Sequence, residues 1–238
     1  MNFLDLTLPT IEENLAFDEA ILSEVEADRL APLLRVWEFP RGAIVLGASG
    51  RLHEDVDVER CLADGVPVGR RSSGGGTVVL GPGALNFTVI LASDTAKGLQ
   101  AVDFAQHFVL EKVAAELIRI GVPVEVRGSG DLVFDGKKCS GSAQRRLKRF
   151  FLVHASILFD FDLSRIPRYT RVPKRQPSYR EGRSHEEFVT NLPVTRETMI
   201  ACLRHAWDAH GLVTCTPTIR MTELVAEKFG QPSWTHRM

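Results

Sequence analysis

Apolar residues recur at helical spacing in three parts of the chain. Ile11, Leu15, Leu22 and Val25 follow Thr10-Ile11-Glu12-Glu13, a hydroxyl with a carboxylate three residues on, which predicts a helix opened by a capping box. Val102, Ala105, Val109, Val113, Leu117 and Ile120 predict the longest amphipathic helix, closed by Gly121. A third helix begins near Arg196 behind Thr195. Between them the pattern shortens to strand-sized runs over 34–38, 43–46, 132–134, 138–142 and a long 150–161, with three more between Val66 and Leu91. Asp135-Gly136 joins two of these runs, and both residues tolerate the positive φ of a tight hairpin. A short helix over 56–64 stops at Gly65, and a strand over 212–216 precedes a last helix ending at Gly230. Strands in hairpin-sized steps with helices outside them predict an α+β fold. Its centre is a mixed, largely antiparallel sheet flanked by helices.

Length and composition narrow the class. The 238 residues are 44% apolar and 25% charged, as in an ordinary globular protein, with no internal repeat and no linker rich enough to split the chain. The expectation is one domain over 1–238 with a helix–strand–helix tail over about 195–238. No apolar run approaches the ~18 residues of a membrane span, and Met1–Thr10 carries no basic start followed by an apolar stretch, so a cytoplasmic protein without membrane contact is expected. Cys61, Cys139, Cys202 and Cys215 are scattered and form no CxxC pair, which argues against a zinc site or a disulfide framework.

The net charge of −1 conceals a strong asymmetry. Thirteen Lys and Arg between 137 and 183 face only Asp160, Asp162 and Glu181, so this stretch carries +10 and the remainder −11. Such a stretch suits an anionic partner: a nucleotide, a nucleic acid or an acidic protein. A solvated basic face is the plainer alternative.

Two motifs carry candidate chemistry. Arg70-Arg71-Ser72-Ser73-Gly74-Gly75-Gly76 sits between β-branched runs, where three glycines weaken a strand but allow a backbone to approach a ligand closely. Backbone N–H groups, hydroxyls and guanidinium charge together suit a phosphate or acyl-phosphate. The loop is neither a Walker loop nor a dinucleotide fingerprint. The second motif is the hairpin from Gly130 and Asp131 to Lys137-Lys138-Cys139-Ser140-Gly141-Ser142-Ala143. Simple alternation puts Lys138 and Ser140 on one face and Cys139 on the other. A lysine fixed on a strand can hold a carbonyl or phosphate oxygen as negative charge develops on it.

These motifs, with Asn14-Leu15-Ala16 before them and His154 after them, resemble the lipoate–protein ligase catalytic domain of the biotin/lipoate ligase superfamily, over roughly 10–195. The resemblance implies a mixed sheet flanked by helices. It also implies a two-step reaction: lipoate or octanoate and ATP give acyl-adenylate and pyrophosphate, then the acyl group passes to a lysine of a lipoyl carrier domain. By the same resemblance Arg70, Arg71, Ser73, Gly74, Gly75 and Gly76 enclose acyl chain and adenylate. Lys138 binds the acyl carbonyl and phosphate oxygens, and Asp131, Ser140, Gly141, Ser142 and His154 complete the site, with the role of His154 left open.

The chain departs from the family pattern in places. Gly130 stands where the ligases usually carry an asparagine before Asp131, which removes one expected contributor to binding Mg²⁺ or nucleotide. Leu80-Gly81-Pro82-Gly83 replaces a His-Asp pair and resembles the octanoyltransferase branch, which moves octanoyl from acyl carrier protein through a cysteine thioester. The two positions where that branch places its cysteine hold Phe151 and the cysteine-free stretch 124–130, which favours the ligase. Biotin ligation lacks its expected loop, and a non-catalytic carrier-binding subunit would not need both motifs. A full accessory domain of the longer ligases is not expected, so a separate accessory subunit enters as a partner. Within 167–191, Arg171, Lys174, Arg175, Arg180 and Arg183 are the candidate docking residues for an acidic lipoyl carrier; nucleic acid is the weaker partner.

Overall fold

The computed structural model describes residues 1–173 and 176–237. In chain order the elements are β1 (Asn2–Asp5), α1 (Ile11–Glu26), β2 (Leu33–Trp37), β3 (Ala43–Leu46), α2 (Leu52–Asp55), α3 (Val58–Ala63), β4 (Val68–Arg70), β5 (Val78–Leu80), β6 (Ala84–Ala92) and α4 (Val102–Arg119). Then come β7 (Val124–Arg127), β8 (Asp131–Phe134), β9 (Lys137–Arg146), β10 (Phe150–Leu158), α5 (Arg165–Tyr169), α6 (His185–Phe188), α7 (Arg196–Ala206), β11 (Gly211–Leu212), α8 (Thr218–Leu224) and α9 (Pro232–Thr235).

An eight-stranded sheet, ordered β11-β1-β2-β6-β10-β9-β8-β7, forms the centre. The β11–β1 and β1–β2 pairs are parallel and the others antiparallel. A three-stranded sheet, β4-β3-β5, lies beside it. The expected mixed, largely antiparallel α+β architecture is the observed one.

Both faces of the large sheet are covered, so β2 is buried along its whole length and β6 along all but its last residue, the polar Arg35, Asn86 and Thr88 included. On one face, Leu34, Val36, Phe87, Val89, Val153 and Ile157 pack against α4 and α7. On the other, Trp37, Ile90 and Leu152 pack against α1, the small sheet and α8. The functional residues lie on this second face.

Local signals hold where they act over a few residues. Thr10 accepts from Glu13 N at 3.2 Å, and the Glu13 carboxylate returns to Thr10 N at 3.0 Å, as a capping box requires. Asp135 and Gly136 turn the β8–β9 hairpin with φ of +49° and +69°. The C-terminal part differs from expectation. The strand near 212 is only two residues long, and α8 runs into a turn of π spacing (Val225–Phe229) before Gly230. The helix α9 beyond it carries no amphipathic pattern; its Trp234 packs on Phe229, with ring centroids 6.1 Å apart. Among the described residues no helix is long and apolar enough to cross a membrane.

Candidate active site

A cleft opens between the large sheet and the layer formed by α1 and the small sheet. Leu15 from α1 and Val45, Val78 and Leu80 from the small sheet give it an apolar wall. The large sheet supplies a polar floor of Asn86, Thr88, Lys138, His154 and Ser156. Register explains this floor: Asn86 pairs with Ser156, Thr88 with His154, and Ala143 and Gly141 follow on β9, so all point to one side.

The loop between β4 and β5 closes one end. Gly75 takes φ of +88°, and methyl groups added at Gly74 or Gly76 would meet nothing within 4 Å, so this backbone stays open to a ligand. Arg71 holds the loop in its curl. Its Nη2 donates to Gly74 O at 2.6 Å and Gly76 O at 2.9 Å, and its Nε to Ser73 Oγ at 3.0 Å. Burial pulls the Arg71 pKa down to about 10, which still leaves a full cation at neutral pH lining the cleft. Thr77, the next residue, has a buried hydroxyl without a partner among the described residues, as expected of a group waiting for a ligand oxygen.

His154 connects this loop to α1. Ser73 Oγ accepts from Arg71 Nε and lies in hydrogen-bond contact with His154 Nε2 at 2.6 Å. The other ring nitrogen, Nδ1, lies 3.6 Å from Asp18 Oδ2. Asp18 also accepts from Thr88 at 2.7 Å and from Arg35 at 2.6 Å. Burial alone would raise the Asp18 carboxyl, but the Arg35 charge, aided by His154 and Thr88, holds it below its ordinary range. A wholly buried ion pair thus orients the imidazole.

Lys138 stands across the cleft, with Nζ 2.7 Å from Asp131 Oδ1. Strand alternation fails here for a definite reason. Leu132 pairs with Ser140 while Val133 pairs with Lys138, so a bulge accommodates Cys139 as an extra residue and shifts the phase of β9. Lys138 therefore shares its face with Gly141, not with Ser140. Ser140 and Ser142 share the register face of Leu132 and Ala155, turned towards α4, where Gln106 Nε2 donates to Ser142 Oγ at 3.1 Å. Cys139 is buried in that layer as well, its thiol giving its hydrogen bond to Leu132 O and pushed up to about 12 by burial.

Gly141 leaves the lysine its room. A methyl group there would lie 2.9 Å from Lys138 Nζ and 3.0 Å from its Cε, so Gly141→Ala must displace the ammonium. We expect kcat to fall about tenfold, since such misplacement costs orientation, with the thermal melting temperature little changed.

The structure redistributes the other candidates. Arg70 is not in the cleft: its buried guanidinium donates to the carbonyls of Gly47, Ala48, Gly50, Thr235 and Arg237 and straps the C-terminal helix to the small sheet. Arg180 is buried against Phe188, 4.9 Å from the ring centroid, and does not present itself to a partner. Arg183 is half-buried and bonded to Gly136 O, while Arg171 is exposed. Lys174 and Arg175 lie outside the described residues. Asp18, Arg35, Thr77, Thr88 and Tyr179 were not marked by the motifs. Asp18, four residues from Asn14 on the buried face of α1, and Arg35, alone in an apolar strand, were the available signals.

The family profile of the lipoyl protein ligase A/B catalytic domain matches residues 10–201, a span that holds both motifs, His154 and Asp18. The chain belongs to this family. Among ligase A/B relatives, the chain is 28% identical over 230 residues to a protein named probable lipoate-protein ligase A of Mycoplasma pneumoniae, covering 93% of this chain and 66% of the relative. It is also 26% identical over 188 residues to the octanoyltransferase LipM of Staphylococcus aureus, covering 69% and 68%. The chain spans 46% to 66% of the length of the four sequence relatives named as lipoate-protein ligases, less than two thirds. A bi-partite lipoate protein ligase from Thermoplasma acidophilum has the same fold, with TM-score 0.82 and 23% identity, covering 99% of this chain and 95% of that one.

Proposed function

We propose that this chain is the catalytic domain of a lipoate–protein ligase. A lipoate or octanoate carboxylate oxygen attacks the α-phosphorus of ATP, pyrophosphate leaves, and a carrier lysine nitrogen then attacks the acyl carbon with release of AMP and a proton. One observation carries this reading: the cleft joins an apolar wall to Lys138 and Arg71, and among the described residues no cysteine lines it. An acyl chain suits the wall, and the two cations suit the oxygens of an acyl phosphate. Lys138 would hold those oxygens as charge builds on them, and the glycine loop would shield the anhydride from water. The open backbone at Gly74 and Gly76 and the free hydroxyl of Thr77 suit the adenylate phosphate.

A protein-held Mg²⁺ does not fit these residues. Among the described residues no group of three His, Cys, Asp or Glu side chains converges. Asp131 has both oxygens committed, to Lys138 and Tyr179, and Asp18 has both committed, to Arg35 and Thr88. Any Mg²⁺ would therefore arrive on the ATP phosphates, and the protein's own part is argued from its cationic side chains.

The carrier reading keeps Arg171 as an exposed docking residue for an acidic lipoyl domain, with the half-buried Arg183 from the same segment as a second. Cytoplasmic location and the need for a separate accessory subunit belong to the same proposal. The test is pyrophosphate exchange into ATP in the presence of lipoate or octanoate, alone and with a candidate accessory subunit. Exchange that needs the acyl acid supports the ligase; its absence under both conditions defeats it. The octanoyltransferase reading, which the LipM match favours, predicts octanoyl transfer from acyl carrier protein without ATP. Cys139→Ala is expected to leave acyl transfer within twofold of the parent and to cost roughly 1 kcal/mol of stability, since it removes one buried sulfur from a packed layer. Urea denaturation and transfer kinetics check the two halves separately.

A further inference from the structure

The hairpin that carries Lys138 is joined at three points to the segment that follows α5. Arg183 Nη1 donates to Gly136 O at 3.0 Å, at the hairpin turn. Thr190 N donates to Lys138 O at 2.9 Å, on the strand itself. Tyr179 Oη donates to Asp131 Oδ2 at 2.7 Å, and Asp131 Oδ1 in turn receives Lys138 Nζ at 2.7 Å. The last contact reaches the reactive end of the lysine.

A carboxylate carries its charge on two oxygens in one plane. A proton donor on Oδ2 sets the rotation of that plane and draws negative charge away from Oδ1. Tyr179 is well placed for such control because it is itself held. Its ring centroid lies 5.2 Å from that of Phe188, the Arg127 guanidinium lies 5.8 Å from its centroid, and its carbonyl accepts from Arg183 Nη2 at 2.6 Å. Burial, followed by the Asp131 charge and hydrogen bond, raises the Tyr179 phenol, so it remains a proton donor throughout the neutral range.

We propose that Tyr179 is a positioning residue for Lys138, acting through Asp131. By occupying Oδ2 it keeps the carboxylate from turning both oxygens onto the ammonium. Lys138 is then held in place but can leave for a substrate oxygen. Tyr179 belongs to the segment that contains the exposed Arg171, so the proposal also ties that surface physically to the lysine. It rests on the ligase reading for the identity of the substrate oxygens, whereas the grip of Asp131 on Lys138 can be tested without it.

The experiment uses the full chain and an amine-directed acylating reagent at one fixed pH. Modification of Lys138 is followed by peptide mass spectrometry against the exposed Lys148 as internal reference. Tyr179→Phe keeps the ring and removes the donor, so Asp131 recovers its full charge; Lys138 should react roughly fivefold more slowly. Asp131→Asn removes the charge, and Lys138 should react faster by a similar factor. The opposite signs are diagnostic, because simple loosening of the packing would speed both. An unchanged or faster rate in Tyr179→Phe overturns the proposal. Pyrophosphate exchange is measured on the same variants, with a lower kcat and an unchanged KM for the acyl acid expected in Tyr179→Phe. A changed KM with an unchanged kcat would also overturn the proposal. If the parent protein shows no exchange at all, the ligase reading fails, and the labelling result alone decides the role of Tyr179.

Discussion

Under the proposed ligase reading, Lys138→Ala is expected to lower acyl-adenylate formation and acyl transfer about a thousandfold. The ammonium is the group on the cleft floor that can meet charge developing on the acyl carbonyl and the phosphate, and losing one such preorganised donor costs about 10²–10³ in rate. Arg71 cannot replace it, because its Nε and Nη2 are committed to the loop that it holds. The side chain is about a third exposed and its ion pair with Asp131 lies near the surface, so the fold should survive its removal. Single-turnover acyl transfer and a thermal melt of the same sample check both halves. A variant that keeps more than a third of the parent rate would show that the reaction does not use this lysine. Lys138→Arg should not restore activity, since a planar guanidinium cannot place a compact charge at the same point.

Arg35→Met is expected to cost about 3–5 kcal/mol of stability, the range for breaking a buried ion pair from one side. Arg35 is fully buried and donates to Leu6 O, Asn14 O, Asn14 Oδ1 and Asp18 Oδ1; methionine fills much of the volume and satisfies none of them. In the parent, the lowered Asp18 carboxyl contributes stability that is present above its unfolded value of about 3.9. That contribution is lost as pH falls through the lower folded value, so the loss that comes from Asp18 begins only near pH 4. In the variant the sign reverses. Burial without Arg35 raises the Asp18 carboxyl, so acidification neutralises it and the deficit against the parent shrinks. Urea denaturation at two pH values reads this directly. The double variant Asp18→Leu with Arg35→Met should recover much of the loss, because no unpaired charge then remains buried. A deficit independent of pH would assign the cost to packing instead.

Much of the scaffold is legible in the order of residues alone, and the legible parts share a cause. Thr10 and Glu13 close a ring of bonds within one turn of helix, and Asp135-Gly136 needs only its own two φ angles. The α4 helix shows its buried face every three or four residues. The candidate site is partly legible in the same way, because the glycine loop and the lysine hairpin are contiguous stretches whose chemistry is visible in order.

Other parts cannot be read in this manner. The bulge at Cys139 depends on how β8 pairs with β9, and that single added residue turns Ser140 towards α4 and leaves Gly141 beside Lys138. Arg70 looks like a phosphate ligand beside three glycines, but five carbonyl oxygens, two of them from the C-terminal segment, surround it. Arg180 belongs to a basic run in the sequence and to an aromatic contact in space. The chain Arg35–Asp18–His154–Ser73 draws one residue from each of four separate segments.

The sequence by itself determined the long helices, most of the central strands, the class of fold and the two motifs, because each rests on interactions among residues a few positions apart. Only the tertiary structure decided which of the charged and polar side chains face the cleft. Orientation follows from strand register, from a bulge and from burial against distant segments. A one-residue shift of phase reverses a side chain without changing a single letter of the motif.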